Sequence, residues 1–487
     1  MGPKAPKYAI FYVGETFYHM ASLVKRLFSF DRALLFSVIA LAWPTVLQEL
    51  LTTMVQYADT AMVGQLGATA SASVGLTASV TWLVNGPLGA TGVGILSCIA
   101  RSLGAGNRER ASRAAQQAVF LAIIVGLLMG GLSVGCSWAL PGWLGADEGI
   151  RTLAGDYFRI ICLPMPFRAS AIIFGSVLCA FGNTKTPMLV NLFMNLCNLF
   201  GNMLLIGGSW TLSLGSLSIP IWGAGLGVQG AAIATALSYV IGGCLMAFCA
   251  FRSEGFRLAG RVRPDRHMMW LCVRTGLPIA AERATTCLGQ VVFSSLVARL
   301  GTLATATHSI AITAEQIFYI SGYGMQTAAA TLAGRALGAG DREKLRQTTR
   351  TMAMLAFFIM LISGAILFSF PEGMMRLFTP DEAVVAGGTV ILRMVACSEP
   401  LFGIAIVMEG IYNGMGATRV TFLVSCLCMW GVRILFATLL TQVFSLGLIG
   451  IWACMMADNS VRCFLLLILF ARKYGRKHDK AAALQTE

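Results

Sequence analysis

Residues 101–109 read RSLGAGNRE, and residues 335–343 read RALGAGDRE. Seven of the nine positions are identical at an offset of 234. The same offset carries Pro44 onto Pro278, Gly67 onto Gly301, Arg159 onto Arg393 and Pro166 onto Pro400. It also carries the GNT of 182–184 onto the GAT of 416–418. It then falls to 220, with Gly227 on Gly447 and Gly230 on Gly450. The change of fourteen residues matches a longer loop at about 208–226. One unit is therefore written twice, each copy filling nearly half the chain.

Composition says what kind of unit it is. The 487 residues are 56% hydrophobic and 12% charged, where a soluble domain carries about 25% charged residues. A run of ~20 apolar residues is enough to cross a bilayer. Such runs fall at roughly 33–57, 69–99, 114–140, 153–180, 188–207 and 227–251. A second set falls at roughly 271–297, 302–333, 351–370, 383–413, 420–440 and 446–471. The runs are continuous and do not alternate, which excludes a β-barrel. The expected fold is an all-α polytopic membrane protein with twelve transmembrane helices. Each copy holds an even number of spans, so both enter the membrane in the same sense. The two six-helix lobes are then related by a pseudo-two-fold axis along the membrane normal, a transporter architecture.

The basic residues orient this frame. Of 36 Lys and Arg, 26 fall in the two tails and every second loop, and only Arg151, Arg299 and Arg376 fall in the loops opposite. The positive-inside rule makes both termini cytoplasmic, with the protein in the cell inner (plasma) membrane. The +14 net charge is a signal of topology and of contact with anionic lipid, and no nucleic-acid partner is expected. The organisation read from this is a cytoplasmic tail at 1–30, an N-lobe at 31–251 and a cytoplasmic inter-lobe loop at 252–270. A C-lobe at 271–471 and a cytoplasmic tail at 472–487 complete it. The fourteen cysteines lie scattered without a CxxC and read as small packing residues. No resident metal or cofactor is expected, and the chain is expected to be a monomer.

An ionisable residue inside a span is a functional hypothesis by default. Asp59 lies near the outer end of the first span. Asn198 and Asn202, four apart, share a face of the fifth. Thr235 lies about nine residues into the sixth. Topology places all four in the outer half of the first lobe. A carboxylate, two amides and a hydroxyl can hold a small hard cation, and the carboxylate can instead carry a proton. The reading without ion traffic is plain interhelical hydrogen bonding. The second lobe does not repeat the set: Phe293 and Val432 stand at the places of Asp59 and Asn198. It carries Glu282, Glu315, Glu399, Arg433 and Asp458 instead. Asp458 and Arg462, four apart, are expected to pair. Glu409 reads as a solvated or loop-pairing residue near a helix end, and His308 as a packing residue.

The chain resembles the multidrug and toxic compound extrusion (MATE) family of cation-coupled antiporters. The resemblance runs from about Leu41 to Leu469. It is carried by LAWPTVLQELLTTMVQYADTAMVGQLG, the two LGAG(N/D)RE loops, FGNTKTPM with NLFMNLCNLFGNMLLIGG, and GVQGAAIAT. The second-half run LPIAAERATTCLGQVVFSSLVARLGTLATATHSIAI adds to it. It implies two six-helix lobes around a cavity open alternately to each side. It also implies a cation site, Na⁺ or H⁺, at Asp59, Asn198, Asn202 and Thr235, with transient Na⁺ at Asp59, Asn198 and Thr235. Some relatives have an aspartate where Asn202 stands, so the choice of ion stays open. In one branch the seventh span carries a functional glutamate eight residues after its proline. Here that place is Thr286, and Phe402 replaces an acid of the tenth span. The candidates for the cavity and substrate are therefore Glu282, Glu315, Glu399, Thr286 and Gln290.

The leading expectation is export of amphipathic, often cationic, organic compounds in exchange for Na⁺ or H⁺. No G-x-x-x-x-G-K-[ST] is present to suggest ATP as fuel. The alternative is a lipid-linked precursor flippase of related architecture, whose cavity would be rich in cationic residues. A membrane-embedded enzyme lacks support: the chain has no HExxH.

Overall fold

A computed structural model describes residues 32–214, 217–257, 262–444 and 446–475. The expected tail at 1–30, the last twelve residues of the tail at 472–487, and Arg261 of the inter-lobe loop lie outside the described residues. The first copy contains α1 (Arg32–Gly64), α2 (Ala68–Gly104), α3 (Arg108–Cys136), α4 (Glu148–Cys162) and α5 (Met165–Ala180). It ends with α6 (Lys185–Leu205) and α7 (Gly227–Arg252). The second copy contains α8 (Arg266–Ala298), α9 (Thr302–Gly338), α10 (Arg342–Ser369), α11 (Glu382–Ala396) and α12 (Glu399–Gly414). It ends with α13 (Thr418–Gln442) and α14 (Gly447–Tyr474). Adding 234 to the ends of α1, α2, α4 and α5 gives the ends of α8, α9, α11 and α12. The duplication thus reaches the level of single helix boundaries.

Eight of these helices are singly long and apolar enough to cross a membrane. The bent pairs α4–α5 and α11–α12 make two more spans. α8 and α9, of 33 and 37 residues, complete twelve; they are made more polar by Glu282, Arg283 and Gln290, and by His308 and Glu315. The sequence reading treated 153–180 and 383–413 as unbroken. Instead they bend by 49° and 56°. Pro164 and Pro166 in one copy and Pro400 in the other supply no backbone N–H, so the helical ladder is interrupted there. The all-α expectation is amended by one antiparallel hairpin, β1 (Gly208–Leu214) and β2 (Leu217–Ala224). It lies where the repeat offset changes.

The lobes meet through α2 against α8 and α1 against α9. Small residues allow it. A Cβ on Gly94 would strike the backbone at Cys272, and one on Gly324 would strike the backbone of Val46. The repeated nonapeptide sits at the end of this seam, on the face where the described chain begins and ends. Gly106 and Gly340 have φ of 73° and 71°, a region glycine enters at little steric cost. Asn107 and Asp341 then cap α3 and α10, each accepting at 2.8 Å from the N–H three residues on. That satisfies one otherwise orphaned helix donor.

The arginines do something the sequence did not reveal. Arg335, of the second lobe, donates from Nη2 to the carbonyl of Ala180 at 2.8 Å. Ala180 ends α5 of the first lobe. The guanidinium of Arg101, of the first lobe, lies against Gly416, in the turn after α12 of the second. Ser97 Oγ donates at 2.9 Å to the carbonyl of Gly414, the last residue of α12. Its counterpart Thr331 faces Cys179 O at 3.4 Å. Gly104 and Gly338 let the two chains cross, since a Cβ on either would overlap the backbone of Arg335 or Arg101. The C-terminal end of a helix carries partial negative charge and unsatisfied carbonyls. Each lobe therefore places an arginine beside a helix terminus of the other: Arg335 bonds to it directly, whereas Arg101 donates to Ser97 O of its own helix at 3.2 Å and packs on the turn at Gly416.

The native cysteines report on this seam. Cys98 and Cys272 are 4% and 1% exposed and face each other across the lobes. Combining Arg101→Gln with Arg335→Gln is expected to raise the alkylation rate of Cys98 and Cys272 about tenfold, the ratio that ~1.4 kcal/mol gives. Cys454, buried inside the second lobe, serves as the control. Unchanged rates at Cys98 and Cys272 would show that the caps do not hold the face shut.

Candidate functional site

Helix periodicity builds the first-lobe cluster. Asn195, Asn198 and Asn202 fall at intervals of three and four along α6 and so share one face, toward α1. Asn195 Nδ2 donates to Thr52 Oγ1 at 3.3 Å. Two turns further, Asn202 Nδ2 donates to Asp59 Oδ1 at 2.6 Å. Gly201 presses against Ala234, which brings α7 and its Thr235 alongside. Asn198 and Asn202 are 5% and 1% exposed, and Asp59 is half-buried. The four residues expected from the sequence are therefore brought together.

Asn198 occupies the centre. One terminal atom of its amide lies 2.9 and 3.0 Å from the two Asp59 oxygens. The other lies 3.1 Å from Thr235 Oγ1. The amide has one donor end and one acceptor end, so its polarity is tied to the charge of Asp59. An ionised carboxylate accepts from the amide nitrogen, and Thr235 then donates to the amide oxygen. A protonated carboxyl donates to the amide oxygen, and the nitrogen then donates to Thr235. In that second state the threonine hydroxyl donates to Ala231 O, 2.9 Å away on its own helix. Both chains of hydrogen bonds are complete, and they differ by one proton. Tyr157 of α4 lies within electrostatic reach of Asp59. No local signal marks it, because a tyrosine near a span end is commonplace.

The second lobe is organised differently. Residues Leu427–Ile434 of α13 form a π-helical segment, a widened turn often found at functional places. It presents Arg433 to Asp458 at 2.7 Å. Arg462 pairs with Asp458 at 3.1 Å and with Glu409 at 3.2 Å. The expected Asp458–Arg462 pair thus belongs to a larger network. Glu409, expected to be solvated, is instead 8% exposed and ion-paired. The reason is that α14 lies against α12 and brings Arg462 over it.

Glu315 and Glu399 are 4% and 0% exposed, and both Glu399 oxygens lack a hydrogen-bond partner. Glu399 packs against Gly364 of α10, within the second lobe. Glu282 is half-buried and accepts from Ser425 Oγ at 3.0 Å. Thr286 and Gln290 follow at one-turn intervals on α8, also half-buried. His308 is packed between Phe293 and Trp452, with ring centroids 5.7 and 5.6 Å away. Sequence reasoning passed over Glu49, five residues beyond Pro44 on α1. The charges of Arg168 and Arg283 both act on it.

Removing one partner of a buried ion pair strands the rest. Asp458→Asn leaves Arg433 and Arg462 short of countercharge and is expected to lower stability by about 3–5 kcal/mol. Thermal unfolding of the purified protein measures it. A midpoint within a few degrees of the parent would show that the network is not held as described.

Comparison with known proteins places these features. The MatE family model matches residues 44–204 and 278–439, one match in each repeat. The chain is 29% identical over 451 residues to the probable multidrug resistance protein NorM of Thermotoga maritima, covering 92% of this chain and 94% of that one. It is 24% identical to the probable multidrug resistance protein NorM of Xanthomonas campestris, covering 91% and 95%. Among solved structures, it superposes on an outward-facing multidrug resistance MATE transporter with a TM-score of 0.83 at 22% identity, covering 91% and 96%. A MOP-superfamily transporter from Pyrococcus furiosus, described as having a binding pocket of reversed polarity, gives 0.82 at 22% identity over the same shares.

Proposed function

Since the chain belongs to the MatE family of multidrug efflux transporters, we propose that it is a secondary antiporter driven by protons bound at Asp59. It exports amphipathic organic compounds across the plasma membrane, with both termini in the cytoplasm. The observation that carries this reading is the Asn198 amide, set between the Asp59 carboxyl and the Thr235 hydroxyl. Taking up a proton reverses every donor and acceptor along that line. The reversal ends on the α7 backbone at Ala231. A local charge change is thereby converted into a change in how α7 is held.

Such a switch drives transport only if the two lobe arrangements differ in proton affinity. The site is suited to that. It joins three helices of one lobe, so a small shift of α1 against α6 alters the 2.6–3.0 Å contacts on Asp59. An unpaired carboxylate in a dry site costs several kcal/mol, so loosening those contacts favours the protonated form. Tightening them favours release. Na⁺ would require Asn202, whose nitrogen faces Asp59, to turn its amide, whereas the proton chain through Asn198 closes with Asn202 as it stands. Protons are therefore the coupling ion in this account.

The experiment is dye exchange in proteoliposomes under separately imposed gradients. A proton gradient is expected to drive exchange, and a Na⁺ gradient alone is not. Asp59→Asn, which mimics the protonated carboxyl, should remain folded and lose gradient-driven exchange to background. Asn198→Ala and Thr235→Ala should retain a reduced rate, because each removes one neutral partner. Normal proton-driven exchange by Asp59→Asn would refute the coupling site.

A further inference from the structure

An open groove of about 750 Å³ runs between α3 and α8. Leu121 and Ile124 of α3 form one wall, and Met269, Trp270 and Val273 of α8 form the other. The walls therefore belong to different lobes. Ile124 and Trp270 are 54% and 58% exposed, which sets the groove on the lipid-facing surface, outside the cleft. Arg266 and His267, both exposed, stand at the end where α8 begins. A buried clamp fixes that end. Gln117 of α3, 1% exposed, donates from Nε2 to the carbonyl of Arg263 at 3.1 Å and accepts from the Asp265 N–H at 2.9 Å. Gln117, Leu121 and Ile124 follow at intervals of four and three, so they share one face of α3. The clamp thus holds that face against the first turn of α8.

Arg274 lies one turn beyond Trp270 on α8, and Leu277 follows it. All three are exposed, so an arginine rises from an apolar strip that faces lipid. It has no ion pair within 4.0 Å among the described residues. It stands eight residues along α8 from Arg266, a rise of ~12 Å. An unpaired guanidinium at that depth is costly, and its long side chain reaches back toward the headgroups. The acids nearby are engaged. Asp265 Oδ1 caps α8, accepting from the Met268 N–H at 3.0 Å, and Glu109, two turns before Gln117, pairs with Arg113 at 3.1 Å. No carboxylate lines the groove among the described residues. Arg263, Arg266 and Arg274, all exposed, outweigh the single charge of Asp265. The repeat offers an internal comparison. At the offset of 234, Leu121, Trp270 and Val273 match Leu355, Phe36 and Ile39, and Arg266 matches Arg32. His267 and Arg274, however, match Ala33 and Ala40. The apolar walls come with the duplication, whereas the full basic set belongs to this groove alone.

We infer that this groove binds one anionic phospholipid, with an acyl chain along Leu121, Ile124 and Trp270 and the phosphodiester held by Arg266, His267 and Arg274. The guanidinium fork matches phosphate oxygens. Basic pockets between membrane helices are suited to such headgroups, and tryptophan favours the boundary between chain and headgroup. A choline or ethanolamine headgroup brings a cation that the arginines repel and that finds no free carboxylate in the groove. A headgroup of net negative charge is therefore selected. Because one wall comes from each lobe, the lipid ties the lobes on their outer side, and its affinity depends on how they are arranged. The orientation proposed above makes this the inner leaflet; the binding test depends neither on that orientation nor on an ion gradient.

The probes are dioleoyl phosphatidylglycerol and dioleoyl phosphatidylcholine, which share their chains and differ in headgroup charge. Native mass spectrometry of the full-length protein in detergent reads the first bound lipid. Phosphatidylglycerol is expected to bind at least about tenfold more tightly than phosphatidylcholine, equivalent to ~1.4 kcal/mol. The Arg266→Gln/Arg274→Gln double variant should bring the two lipids within about twofold, under ~0.5 kcal/mol. Arg274→Lys, which keeps the charge and loses the fork, should fall between the parent and Arg274→Gln. Arg299→Gln, which removes an exposed arginine at the far end of α8, should keep the full preference. Glycerophosphoglycerol, the headgroup without chains, should leave the bound lipid in place. Equal binding of the two lipids overturns the inference. So does an undiminished preference in the double variant, or a loss in Arg299→Gln as large as in the double variant. Displacement by glycerophosphoglycerol would also overturn it, because the site would then take any soluble phosphate ester. Failure of proton-driven exchange in the parent protein, with these binding results intact, would count against the antiport reading alone.

Discussion

A guanidinium from each lobe lies beside a helix terminus of the other, and the rest of the molecule is arranged around that exchange. Arg335 reaches Ala180 at 2.8 Å, and Arg101 lies over Gly416. These contacts draw the ends of α2 and α9 together at Gly104 and Gly338, where no side chain would fit. They also fix the ends of α5 and α12, the second halves of the two bent spans. A helix terminus is a favourable partner for a cation because its carbonyls are unsatisfied and its dipole is negative there. The contact is reversible, since water can replace the guanidinium at an open terminus. A duplicated scaffold with one reversible tie at its base is what a two-state carrier requires.

On this symmetric frame the chemistry is asymmetric. The first lobe keeps Asp59 with its two asparagines and a threonine. The second puts Phe293, fully buried, at the place of Asp59. Its α13 departs from its counterpart α6 by the π-helical segment at Leu427–Ile434. That segment carries Arg433 into the interior, where Asp458 neutralises it. The second-lobe network is closed and serves to hold helices together. The first-lobe cluster is open to one proton and can report its presence. The duplicated frame thus carries an open polar cluster in one lobe and a closed ion-pair network in the other.

Much of this was legible in the sequence. The offset of 234 fixed the repeat, and the helix ends obey it. The basic residues and the apolar runs gave twelve spans. Asn198 and Asn202, four apart on one face, pointed to a common partner, and Asp59 is that partner. What stayed hidden depended on contacts between distant segments. Nothing local marks Arg101 and Arg335 as crossing to the opposite lobe, because a basic loop also reads as a topology signal. Glu409 looked solvated because Arg462 lies 53 residues away along the chain. The hairpin at Gly208–Ala224 was hidden in a stretch visible only as an insertion.

In the proposed mechanism, one carboxyl in the first lobe gains and loses the proton that reverses a hydrogen-bond chain. Infrared difference spectroscopy of the full-length protein, taken between proton-loaded and proton-depleted buffers, tests it most directly. The account predicts a protonated-carboxyl band that appears on loading, accompanied by a shift in the side-chain amide carbonyl band. Asp59→Asn should remove both signals, and Asn198→Ala should remove the amide shift and keep the carboxyl band. A carboxyl band that survives Asp59→Asn unchanged would contradict the account and move proton coupling to the carboxylates buried in the second lobe.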